Sequence, residues 1–119
     1  MATQNKTDID QLLADSLKQL ASKKLLEKIT IKEITDLAGV IRPTFYNHFQ
    51  DKFELLEWII KKELLEPVQP LIRNDMFTEA MLLLFTNIER DKAFYSHVVK
   101  LEGPVTFHSI ASKCVREVL

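Results

Sequence analysis

The chain has 119 residues, with 16 Lys and Arg against 17 Asp and Glu, so its formal net charge is −1; 46% of its residues are apolar and 28% charged. That balance belongs to a globular domain and excludes intrinsic disorder, which needs low hydrophobicity and high net charge. Gly39 and Gly103 are the only glycines and Cys114 the only cysteine, which excludes a Gly-rich phosphate loop, an intrachain disulfide and a Cys-based zinc site.

The longest apolar run, Ala80 to Phe85, is far shorter than the ~18 residues of a membrane span. Met1 to Asp8 carries no apolar core behind a basic region, so no secretory signal is expected and a cytoplasmic location is.

In chain order, Ile9, Leu12, Leu13, Leu17, Leu20 and Ala21 recur at spacings of three and four, which predicts a helix over about 8 to 26 with Thr7 or Asp8 as its cap. Thr30-Ile31-Lys32-Glu33 reads as a capping box, and Ile31, Ile34, Leu37 and Ala38 make the apolar face of a two-turn helix stopped by Gly39. Arg42 to His48 follows as a second short helix, with Pro43 in its first turn. Phe45 and Phe49, one turn apart, are expected to point inward, leaving Arg42, Pro43, Thr44 and Asn47 outward with Tyr46 and His48 on the flanks. Asp51 with Glu54 starts another helix, whose stripe is Leu55, Leu56, Ile59, Ile60, Leu64 and Leu65. Pro67 and Pro70 are expected to end it, and the segment from Pro67 to Asp75, with two prolines and weak periodicity, is the best candidate boundary. A helix from Thr78 to Asp91 is expected next, broken or kinked on the way to Phe94, Val98 and Val99. Gly103-Pro104 is expected to break the chain again before a last helix from Thr106. No strand alternation occurs, so the expected fold is all-α.

Two short helices joined by a tight Gly-containing turn form a helix-turn-helix. The DNA major groove admits one such helix, whose exposed first turn meets base edges. Arg42 suits a phosphate or a guanine edge, Thr44 a thymine methyl or a hydrogen bond, and Asn47 a base edge or a phosphate. Thr30 stands at a helix start, where free amides attract phosphate. Tyr46, His48 and Lys52 can add backbone contacts, which set register rather than sequence preference. The charge balance opposes this reading: residues 1 to 50 hold seven basic and six acidic residues, although Asp51 is the only acid from Val40 to Lys52.

Thr30-Ile31-Lys32-Glu33-Ile34, then Ala38-Gly39-Val40, then Thr44-Phe45-Tyr46-Asn47-His48-Phe49-Gln50-Asp51-Lys52-Phe53-Glu54-Leu55-Leu56 resembles the TetR family of bacterial transcriptional regulators, most strongly over residues 9 to 66. The resemblance implies a three-helix DNA-binding head over residues 1 to 50. It implies a fourth helix leading into a helical effector and dimerisation region over 51 to 119, and a homodimer acting on a double-stranded operator. By position it assigns DNA contacts to Thr30, Arg42, Pro43, Thr44, Tyr46, Asn47, His48 and Lys52, and core roles to Phe45 and Phe49. The part including Asp91-Lys92-Ala93-Phe94-Tyr95 is similar to a subgroup that includes regulators of dihydroxyacetone-kinase operons. Two departures stand out. Ile41 replaces the usual Ser or Thr cap of the recognition helix, at a cost of ~1 kcal/mol. The chain is also shorter than such regulators and is read as C-terminally truncated.

Each assignment has a structural alternative: Tyr46 a half-buried core aromatic, His48 a plain surface residue, Arg42 and Lys52 solvated charges, and Thr30 a cap alone. A catalytic reading has little to stand on. His48, His97 and His108 are far apart, no nucleophile elbow surrounds Ser109 or Ser112, and no cofactor is implied. Trp58, Phe85, Tyr95 and His97 are the candidates to line an effector pocket, against a plain core role for the aromatics. The competing function is a helical protein–protein adaptor, with a partner protein rather than a small molecule supplying the sensing.

Overall fold

The computed structural model describes the backbone from Lys6 to Leu119 and side chains from Asp8 onward. It is all-helical among these residues. Helix α1 (Lys6–Ala21) buries Leu13, Ala14, Leu17 and Ala21 and packs against most of the molecule. Its bounds place Thr7 and Asp8 inside the first turn, and the side chain of Thr7, one of the two expected caps, lies outside the described residues. The helix also stops five residues before the expected end at 26. The Lys23 and Lys24 amides both turn back to the Leu20 carbonyl, and a 3₁₀ turn (Leu26–Lys28) carries Leu26 into the core. The physical reason is burial: continuing the helix would leave Leu26 and Ile29 off the stripe they now fill.

Helix α2 (Ile31–Ala38) begins with the full capping box: the Glu33 amide donates to the Thr30 hydroxyl at 3.1 Å, and the Thr30 amide to the Glu33 carboxylate at 2.9 Å. It ends at Gly39 with φ +76, where the amides of Gly39 and Val40 both donate to the Thr35 carbonyl. A Cβ at Gly39 would meet nothing within 4 Å, so only backbone strain opposes a side chain there. Gly39→Ala is expected to lower stability by about 1 kcal/mol, measured by urea denaturation, since the left-handed conformation costs an L-residue that much.

Helix α3 (Arg42–His48) starts at Ile41 without a side-chain cap, and Pro43 occupies its first turn. Helix α4 (Lys52–Ile60) is capped by Asp51, whose carboxylate accepts from the Glu54 amide at 2.9 Å. It then widens into a π-helical turn (Lys61–Leu65), closed by the Glu66 amide donating to the Lys61 carbonyl. Pro67 has no amide to offer the Glu63 carbonyl one turn back; the Asn87 side chain donates to it instead, at 3.2 Å.

The segment from Pro67 to Asp75, the candidate boundary, is itself partly helical. It holds helix α5 (Gln69–Arg73), which Pro70 helps to start rather than prevents, because a first-turn residue needs no amide partner. Asp75 adopts φ +59 and turns the chain into α6 (Phe77–Arg90). Helix α7 (Lys92–Val98) follows after a break at Asp91 and buries Phe94, Tyr95 and Val98. Helix α8 (Phe107–Val118) starts at a second capping box, Thr106 with Ser109, and lays Ile110 and Cys114 along α4. One continuous core joins Leu13, Leu17, Ile34 and Phe45 to Leu55, Ile59, Phe94, Val98, Ile110 and Cys114.

Candidate nucleic-acid interface

The surface around α3 is made by what the aromatic side of that helix buries. Phe45 has no exposed surface and Phe49 is buried beside it, their rings 6.0 Å apart. Phe49 in turn meets the Trp58 ring edge-on at 6.4 Å, which ties α3 to α4. At 100° per residue, anchoring 45 and 49 turns 43, 44 and 47 away from the core and leaves 46 on the flank, while Arg42 lies a turn before Phe45 and is open because it starts the helix. Arg42, Pro43, Tyr46 and Asn47 are indeed exposed, and Thr44 is half-buried. Among the described residues, no side-chain hydrogen bond or ion pair occupies Arg42 or Asn47. Tyr46 stands edge-on to Phe45 at 5.4 Å yet keeps 49% of its surface. Thr30 is exposed at the start of α2, with its hydroxyl engaged by Glu33.

Two of the sequence-assigned residues face inward instead. His48 lies half-buried at the end of α3, its Nδ1 donating to the Asp10 carboxylate of α1 at 2.8 Å. The Lys52 ammonium donates to the carbonyls of Leu26, Glu27 and Ile29, at 2.8, 3.3 and 2.7 Å. Burial pulls the Lys52 pKa below its ordinary value, against the opposing charges of Glu27 and Glu33.

Ile41, 67% exposed at the head of α3, joins this surface and was considered from sequence only as a poor cap. An exposed aliphatic in that place suits a thymine methyl. Asp10 was missed as well. It is a buried carboxylate on α1, and its signal in the sequence was an acid beside the apolar positions of that stripe.

The four effector-pocket candidates do not converge. Trp58 lines an open cleft between α1, α3, α4 and α8, with Asp10, His48, Lys61 and Glu117. Phe85 stands 60% exposed on the outer face of α6. Tyr95 is buried against Phe94, its hydroxyl 3.5 Å from Glu63, and burial pushes its pKa up. His97 donates from Nδ1 to the Ala21 carbonyl at 2.6 Å, closing the end of α1. Topology thus sorts these residues into core, cleft and surface, and among the described residues they do not line one cavity.

A three-helix head whose second and third helices form a helix-turn-helix, with a polar outer side on the third, defines a DNA-binding domain. Residues 14–59 match the family model described as bacterial regulatory proteins, tetR family. The chain is also similar to the HTH-type dhaKLM operon transcriptional activator DhaS of Lactococcus lactis subsp. lactis. The two are 26% identical over 92 residues, which is 77% of this chain and 49% of that protein. The chain therefore spans about half the length of the curated relative it matches. No helix among the described residues is long and apolar enough to cross a membrane.

Proposed function

We propose that the protein is a TetR-like, sequence-specific transcriptional regulator, acting in the cytoplasm as a homodimer on a near-palindromic operator. Residues 1 to 50 form the DNA-binding head, and the region from 51 onward couples it to a small-molecule effector or a sensing partner protein. The likeness to a dhaKLM operon activator supports a place among regulators of that kind. The single observation that carries the reading is the exposed side of α3, where Arg42 and Asn47 have no side-chain hydrogen bond or ion pair among the described residues while Phe45 and Phe49 hold the helix from behind. In this reading Arg42, Pro43, Thr44, Tyr46 and Asn47 enter the major groove, and Thr30 presents the first amides of α2 to a phosphate. The two recognition helices of the dimer then sit about 34 Å apart, one turn of DNA.

The test is selection of binding sites from a random duplex library, followed by titration at several salt concentrations. Combining Thr44→Ala with Tyr46→Ala is expected to weaken binding to the selected duplex by at least tenfold, since good base contacts are worth ~1–3 kcal/mol each. Far-UV circular dichroism should stay unchanged. A wild-type dimer that enriches no duplex and binds none at low salt would defeat the proposal in favour of the adaptor.

A further inference from the structure

Resemblance assigns Lys52 to DNA; the geometry gives it different work. We infer that Lys52 is a positioning residue, whose ammonium staples the first turn of α4 to the α1–α2 connection and so sets the start of α2 against the recognition helix, without itself touching nucleic acid. The inference rests on the DNA-binding reading above for its functional consequence, and on the fold alone for the staple.

An ammonium has three N–H donors and no acceptor. All three are matched by the carbonyls of Leu26, Glu27 and Ile29, so none remains for a phosphate. Leaving these acceptors would take the ammonium from a turn whose Leu26 and Ile29 side chains are sealed in the core, leaving the Leu26 carbonyl only the Ile29 amide.

The position of Lys52 along its own helix points the same way. It is the first residue of α4, beside free amides that repel a cation, where Asp or Glu is the favoured choice. A lysine there gains nothing from its own helix, and the three carbonyls across the gap supply the missing negative potential.

The staple also joins two places that must keep register on DNA. Ile29, whose carbonyl it holds, directly precedes Thr30 at the start of α2. Phe49 to Asp51, the link that ends the recognition helix, directly precedes Lys52. One side chain thus fixes the α2 start relative to the α3 end.

Lys52→Gln and Lys52→Arg separate the two roles. A phosphate contact predicts that Gln lowers the salt slope of duplex binding by about 0.9, while Arg, still cationic, retains affinity. A staple predicts that both variants, checked as folded by circular dichroism, bind the selected duplex roughly tenfold more weakly with an unchanged slope, because Gln brings no cation and the planar fork of Arg, though charged, does not fit three carbonyls gathered around a compact ammonium. Native-state hydrogen exchange supplies a readout independent of DNA. In both variants the amides of Ile34 and Thr35 on α2 should exchange faster, with those of Leu55 and Ile59 on α4 unchanged. A reduced slope with Arg intact, or unaltered α2 exchange, overturns the inference. Failure of the wild-type protein to bind duplex defeats the DNA reading, and the exchange measurement still decides the staple.

Discussion

Phe45→Ala is expected to lower the unfolding free energy by about 3–5 kcal/mol, the cost of emptying a fully buried aromatic site. Phe45 has no exposed surface and stands between the rings of Tyr46 and Phe49, the latter continuing to Trp58 on α4. A helix as short as α3 cannot hold its conformation alone, since isolated helices below ~12 residues are marginal in water. It is held by this aromatic ladder, by the packing of Phe45 and Phe49 in the core beside Leu13 and Ile34, and by the His48–Asp10 bond. The loss should appear as a fall of roughly 10–20 °C in the thermal midpoint. Duplex binding should fall with it, even at temperatures where α1 and α4 remain helical. Phe45→Leu should recover most of the stability. A Phe45→Ala protein within about 1 kcal/mol of wild type would show that the recognition helix is held by something else.

Lys18→Met should cost less, but at a second joint. The Lys18 ammonium on α1 donates to Glu63 of the π-helical turn at 2.8 Å and to Asp91, between α6 and α7, at 2.7 Å. The side chains are 17%, 22% and 32% exposed, so the network is mostly withdrawn from water. Removing the cation leaves two carboxylates facing each other, with the Tyr95 hydroxyl beside Glu63. A loss of about 2 kcal/mol is expected, below the 3–5 for a deeply buried pair because these groups keep some solvent.

The pH dependence carries a sign. Burial alone would pull the Lys18 pKa down, but the hydrogen bonds to Asp91 and Glu63 and their charges raise it above 10.5. Its contribution is therefore fully present below 10.5 and fades as pH rises through the higher folded value. Burial likewise raises the Tyr95 pKa above its ordinary 10.0, so its phenol also resists ionisation in the fold. Urea midpoints should fall above about pH 10 in the wild type, and the fall attributable to Lys18 should be absent from Lys18→Met. At the acid end the direction reverses. The Lys24 hydrogen bond holds the Glu33 carboxyl below its usual range, and Lys61 does the same for Glu117, so these contributions persist above about pH 4.5 and are lost as pH falls. Equal pH profiles for wild type and Lys18→Met at alkaline pH would remove Lys18 from the account.

The features legible in the chain are those whose causes lie within four residues of one another. Thr30 with Glu33, Asp51 with Glu54, and Gly39 in its left-handed stop are local hydrogen-bond and backbone facts, and each is found where the spacing placed it. The inward pair Phe45 and Phe49 follows from helical period alone, and with it the outward side that carries Pro43, Thr44 and Asn47. The remaining features were decided by partners remote in sequence. Helix α1 ends at Ala21 because Leu26 must reach the core, and Pro70 starts a helix instead of forbidding one. Trp58, Phe85, Tyr95 and His97 scatter because packing, not hydrophobicity, assigns a residue its side. His48 and Lys52 look like outward polar residues until α1 and the turn after it bring a carboxylate and three carbonyls within hydrogen-bond reach. Local chain stiffness thus set which segments are helices, while the need to satisfy buried polar groups across the fold set which polar side chains are free to meet a ligand.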